Sequence, residues 1–533
     1  MNALIGTGSL VRLALRRDRI VLPVWILGLL AITVPIAASI GELYPTAASR
    51  QQLHLAVGTN PSLIAMTGPA FNLADVGGIV AWRVGGFAAV LAALMSSFTV
   101  VRHTRAEEES GRLELLGSTV VGRFATLTAS LIVAFTANFV LAAVVTLGLT
   151  GQGLSLSGSV AFGLSLGLTG CLFAAVAAVT AQLTEGARAA NSLAGGFVGA
   201  VFVLRAVGDS AGDGTLSWLS WLSPIGWAQQ ARAFAGERWW VLGLPAVAAV
   251  VLVSVAFVLV TRRDIGAGLL PTRLGPAAAS AGLRGPFALA WRLQRGALLG
   301  WACGFAVAGA AYGAVAQGLE GLLDSTPRAK QVLTAIGGEK ALIDAYFATT
   351  LSLLGVIASA YAVSATLRLR TEETALRAEP ILATRARRLQ WVGSHLVMAL
   401  LGTTVALGVA GLVEGLVYGL TVDDVSGQLP RVLAGALVQV PATWVVTGIT
   451  IALFGLLPAA VAVSWAAVVV FLLVGQFGPM LQLPQWLMDL SPFTHVPRVP
   501  GAEISVWPIA ALAGVAIVFA AAGLAGFRRR DIG

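Results

Sequence analysis

The chain has 533 residues, of which 57% are hydrophobic and only 11% charged. A soluble domain carries roughly a quarter charged residues, so this composition excludes a soluble globular protein and points to a bilayer as the solvent. The net charge of +9 does not indicate nucleic-acid binding, because the arginines fall in clusters between apolar runs and not on one basic face.

In chain order, a basic amphipathic segment at 9–19, SLVRLALRRDR, reads as a helix lying in the membrane interface. The apolar run at 20–40 lacks a small-residue cleavage site and reads as a retained span. Further runs long enough to cross about 30 Å of hydrocarbon stand at 80–101, 124–149, 158–181, 190–207 and 241–260. A second set stands at 297–317, 346–366, 390–417, 433–456, 459–477 and 506–527. The expected fold is all-α, a polytopic membrane protein of about twelve transmembrane helices in two six-helix halves.

Alternating sides from a cytoplasmic N-terminus puts 24 of the 34 Lys and Arg residues in cytoplasmic loops and eight outside. This positive-inside bias sets both termini in the cytoplasm and fits a multi-pass protein of the bacterial cytoplasmic membrane. The other two, Arg83 and Arg205, fall near outward helix ends. There a long side chain either snorkels or pairs, or it lines a substrate path.

The halves repeat one another. RRDIG closes the first set at 262–266 and recurs at 529–533, LSPIGW at 222–227 has a partner in LSPFTH at 490–495, and LALRRDRIVLPVW at 13–25 is echoed by LAWRLQRGALLGW at 289–301. Landmarks in one order argue for duplication and fusion. The expected organisation is a domain at 1–266, a Gly/Pro/Ala-rich cytoplasmic linker at 267–283 and a second domain at 284–533. Cys171 and Cys303 lie inside apolar runs and the four histidines are scattered, so neither a disulfide framework nor a metal cluster is suggested.

The fourth landmark carries charge. RAEEESGRLELL at 105–116 and RTEETALRAEPI at 370–381 share arginine at the first and eighth places and glutamate at the third, fourth and tenth. The first copy supplies Arg105, Glu107, Glu108, Glu109, Gly111, Arg112 and Glu114, and the second Arg370, Glu372, Glu373, Arg377 and Glu379. The spacing predicts a short helix along the membrane surface with a mixed-charge face toward the cytosol. Opposite signs at fixed spacing suit docking of a soluble partner, since paired charges set register. An ordinary membrane-surface helix is the plainer reading.

On the two charged stretches, WLSPIGWAQQARAFAGERWW at 221–240 and the halves ending in RRDIG, the chain resembles the membrane subunits of type-2 ABC exporters, in particular the twelve-helix actinobacterial permeases of polyketide-antibiotic and multidrug export. The resemblance covers essentially the whole chain. It implies that 105–116 and 370–381 are coupling helices, each seated in one of two copies of a soluble ABC ATPase. It also implies re-entrant extracytoplasmic elements around 216–238 and 484–503, with Trp221, Ser223, Pro224 and Trp227 in the first and Ser491 and Pro492 in the second. The second copy departs from the pattern by having Leu376 in the place of Gly111.

No G-x-x-x-x-G-K-[ST] loop occurs, and the two lysines, Lys330 and Lys340, lack that context. The chain is therefore read as a transport subunit and not an enzyme. It is expected to bind no cofactor, with ATP and Mg2+ on the partner ATPase. The expected cargo is hydrophobic or amphipathic, antibiotics by resemblance, with a lipid or cell-envelope component as the alternative. Ion-coupled secondary transport is the rival mechanism, which sparse carboxylates in the spans disfavour. The tryptophans before the sixth span read as an interfacial belt or a lateral gate.

Overall fold

The computed structural model describes residues 3–57, 61–112, 120–211, 214–264, 266–270, 275, 277–280, 282–324, 339–477, 484–502 and 504–530. All regular structure among them is helical. The chain divides into two compact units, Met1–Gly275 and Pro276–Gly533.

The first unit opens with α1 (Thr7–Arg17), whose last turn carries Arg16 and Arg17. After a break at Asp18 come α2 (Val21–Leu43), α3 (Ala47–Val57), α4 (Pro61–Thr67), α5 (Val76–His103) and α6 (Arg105–Glu109). They are followed by α7 (Ala125–Gly151), α8 (Leu156–Leu183), α9 (Ala187–Ser210), α10 (Pro224–Gln230) and α11 (Gly243–Thr261). Asp75 caps α5 by accepting from Gly77 N, and proline opens α4 and α10, where its missing N–H costs nothing. Six stretches of this unit are long and apolar enough to cross a membrane.

Helices α5 and α8 form its centre. A stripe of small residues lets α8 approach α7 closely: a Cβ on Gly167 would sit 2.9 Å from the Asn138 carbonyl, and one on Gly163 or Gly170 would strike Ala142 or Asn138. Asn138 in turn donates to Ser96 Oγ on α5 at 2.8 Å, satisfying polar groups that lipid cannot.

The second unit contains α12 (Pro286–Asp324), α13 (Glu339–Thr374), α14 (Ala378–Leu382), α15 (Arg388–Thr421), α16 (Val425–Val438) and α17 (Val440–Leu456). It ends with α18 (Val463–Phe477), α19 (Gln485–Met488) and α20 (Val506–Arg529). Small residues again set the packing. Gly309 and Gly313 of α12 lie on the α15 backbone at Ala410 and Glu414, while Gly448 and Gly455 of α17 interlock with Ala516 and Gly523 of α20. The run expected at 433–456 is the paired helices α16 and α17, joined where Pro441 removes an amide.

Eleven helical stretches among the described residues meet the length and apolarity of a span. The twelfth expected span, 459–477, is represented by the shorter apolar helix α18. The protein is thus an all-α multi-pass membrane protein, and the one shortened helix stands where the sequence run was already short.

Candidate functional site

In the first unit the charged stretch is turned inward. Arg105 is fully buried at the inner end of α5, where it donates to the carbonyls of Ala181 and Ala267, each at 3.0 Å, and to Glu108 Oε2 at 2.6 Å. Glu108 also accepts both terminal nitrogens of Arg263, at 2.5 and 2.8 Å. Arg263 follows α11 and belongs to the RRDIG motif; its Nε donates to Gln182 Oε1 at 2.6 Å. Glu107 pairs with Arg17 of α1 and lies 3.8 Å from Arg112. Glu109 accepts from Ala187 N at 2.9 Å, where a carboxylate favourably meets the start of α9. Arg112 remains 60% exposed, and Glu114 lies outside the described residues.

The second unit repeats the arrangement. Arg370 donates to Glu373 Oε2 at 3.0 Å, as Arg105 does to Glu108. Arg530, from the recurring RRDIG, closes on Glu373 as Arg263 does on Glu108. It also donates to the Phe454 carbonyl at 3.0 Å and lies over the Phe454 and Phe527 rings. Glu372 pairs with Arg368 at 2.7 Å and lies 3.6 Å from Arg377, which is 59% exposed; Glu379 is exposed on α14.

In the second copy the expected single surface helix is replaced by a helix end, a tight turn and a following short helix; the first copy shows the helix end and the turn, and its residues 113–116 lie outside the described residues. In the first copy Arg105–Glu109 continues α5 after Thr104; in the second, 370–374 is the end of α13 and α14 follows. Most of the shared charges neutralise one another and the last helix, because the surrounding apolar helices exclude the water that would otherwise solvate them. Gly111 and Leu376 both take the left-handed conformation, φ +70° and +57°, so the second copy changes the residue and keeps the turn.

At the opposite end of the first unit, Ser223 accepts from Gly226 N and donates to the Val201 carbonyl at 2.7 Å, while Pro224 opens α10. Trp227 Nε1 donates to the Trp221 carbonyl at 2.6 Å, and Trp221 stacks on Trp240 with centroids 5.9 Å apart. In the second unit Pro492 opens a 3-10 turn over Pro492–His495, and Ser491 is fully buried with its hydroxyl unpartnered. The two outer elements are not chemically equal.

Compared with known proteins, residues 283–528 match the family described as the multidrug efflux system permease Rv1217c, C-terminal domain. Over 531 residues the chain is 44% identical to the multidrug efflux system permease protein Rv1217c of Mycobacterium tuberculosis, covering 99% of this chain and 95% of that protein. The chain belongs to this family of efflux permeases.

Two further features of the permease bear on function. Arg205, expected to snorkel, pair or line a path, is fully buried and pairs. It donates to Asp209 at 3.3 Å, Gln229 at 3.2 Å, and the carbonyls of Ala65 and Met66 at 2.6 and 3.1 Å, and it lies over the Phe202 ring. Asp209 accepts from Ser220 at 2.5 Å and Gln229 donates to the Thr67 carbonyl at 2.6 Å, so one arginine fastens α4, α9, α10 and the 217–222 turn. Arg83 is exposed on α5.

Glu414 is the second feature. It is fully buried in α15, accepting from Thr350 at 3.0 Å while its other oxygen has no partner. Its letter stands in the apolar run 390–417, yet burial depends on glycines of α12 that no local pattern ties to it. Among the described residues no His, Cys, Asp and Glu group is arranged to hold a metal ion.

Proposed function

We propose that the permease carries hydrophobic or amphipathic compounds, antibiotics among them, outward across the cytoplasmic membrane, driven by two copies of a separate soluble ABC ATPase that bind ATP and Mg2+. In this reading residues 1–266 and 284–533 are two homologous domains joined by 267–283. The stretches beginning at Arg105 and Arg370 are the coupling elements. The duplicated ion-paired end carries the reading: a motor that pushes on a surface loop moves only the loop, whereas one that pushes on a stretch cross-braced to its bundle moves the bundle. The efflux role of the Mycobacterium tuberculosis relative supports the cargo class.

ATP closes the two ATPases; the coupling elements follow, the permease turns from inward-open to outward-open, and hydrolysis resets it. Arg112 and Arg377, each more than half exposed, present positive charge to the motor. The test is purification of the tagged permease from its own membranes. A P-loop subunit should accompany it, with hydrolysis rising when amphipathic compounds are added. A permease that purifies without such a subunit contradicts the reading.

One observation favours ion-coupled transport as a second reading, the buried Glu414 with an unpartnered oxygen. Collapsing the proton gradient separates the two, since ATP-driven efflux survives it.

A further inference from the structure

We infer that the last helix of each unit is a transmission rod, fastened at its inner end to the charged stretch and at its outer end to the re-entrant element, and that Arg263 and Arg530 are the positioning residues that fasten it. The inference rests on the motor reading above. The inner joint pairs the same two positions in both units, through both oxygens of the carboxylate in the first and one in the second. Arg263 meets Glu108 with two hydrogen bonds, both side chains being less than a tenth exposed, and Arg530 meets Glu373 in the equivalent place.

A planar guanidinium engaging both oxygens of a carboxylate fixes direction as well as distance, which a lysine point charge does not. Arg263 is further held by Gln182 and the Ala267 carbonyl, Arg530 by the Phe454 carbonyl and two rings. Three carbonyl or amide anchors on these two arginines are more than charge neutralisation requires. They define a joint.

The outer end is also fastened. Trp227 of α10 packs against an apolar cluster that includes Ala249 of α11, and Trp240, in the turn that leads into α11, stacks on Trp221. In the second unit Phe493 and Val496 share an apolar cluster with Leu512 and Ala516 of α20. Helix α11 has 19 residues and α20 has 24, about 28 Å and 36 Å of continuous hydrogen-bonded rod. A displacement of the charged stretch is thereby delivered to the outer element along one rigid helix, which in the first unit lies against α8.

The test has two parts. In the purified permease alone, Arg263→Gln should speed amide hydrogen exchange over 105–111 by about a hundredfold or more, because it strands a buried carboxylate. Arg530→Gln should do the same over 370–376. In the permease–ATPase complex, a fluorophore on Thr215→Cys, in a background lacking Cys171 and Cys303, reports the outer element. ATP should change its emission in the parent, Arg263→Gln should abolish at least nine-tenths of that change while the ATPase stays bound, and Arg263→Lys should restore part of it. An undiminished change in Arg263→Gln overturns the rod and leaves the motor reading standing. A parent complex silent to ATP overturns both. Arg263→Lys keeps the charge should the glutamine variant fail to fold, and unaltered exchange over 105–111 in both variants also overturns the rod.

Discussion

Glu108 accepts from Arg263 through both of its oxygens although 155 residues separate them, and Arg105, fully buried, donates to one of the same oxygens. One anion thus compensates two buried cations. Glu108→Ala strands both and should cost about 3–5 kcal/mol, read as a fall in the unfolding midpoint of the detergent-purified permease. Arg112→Ala, at a side chain 60% exposed, should change stability by less than about 0.5 kcal/mol and instead weaken retention of the ATPase in a pull-down. Equal loss of stability in the two variants would mean that the buried network is not what braces this stretch.

Leu376 occupies a backbone conformation that Gly111 adopts freely in the other copy. Its side chain is 63% exposed, so little packing is at stake. Leu376→Gly should therefore stabilise by about 0.5–1 kcal/mol, the relieved strain exceeding the extra freedom of the unfolded chain. Gly111→Leu should cost about 1 kcal/mol, since open space surrounds its Cβ position and only the backbone objects. Thermal unfolding of both variants checks the pair of signs.

Arg205 should matter far more than Arg83, although both stand near outward helix ends. Replacing Arg205 by methionine releases α4, α10 and the 217–222 turn together and leaves Asp209 buried, at a cost of about 3–5 kcal/mol. Limited proteolysis should then cut between 214 and 223, where the parent resists. Arg83→Met should leave both the cleavage pattern and the unfolding midpoint unchanged.

The segments crossing the bilayer were legible because composition alone distinguishes lipid-facing runs. What the charged stretches do was only half legible. Their spacing correctly marks one helical face for Arg105 and Glu108, but whether that face meets water or protein is decided by Arg263, Gln182 and the Ala267 carbonyl, all distant in sequence. Arg205 was hidden in the same way, since two of its acceptors are backbone carbonyls of α4, which carry no side-chain signature. The first unit also has a strap that no repeat foretells. Asp18, buried in the break after α1, accepts from His103 at 2.5 Å, whereas the matching Gln294 lies inside the unbroken α12 and meets His395 at 2.8 Å.

Glu414→Gln tests the rival energy source. The amide keeps an acceptor for Thr350 and removes the unpartnered charge, so an ATP-driven permease should retain at least half of its efflux rate, measured as drug accumulation in whole cells. Efflux falling to background in a variant that still reaches the membrane would instead place a transported ion at that carboxylate.

The most direct test of the account is uptake of a fluorescent amphipath into inside-out vesicles containing the purified permease, with and without its ATPase. Accumulation should require the ATPase, ATP and hydrolysis, and should vanish when the permease is alone under an imposed proton gradient. Accumulation by the permease alone would contradict it.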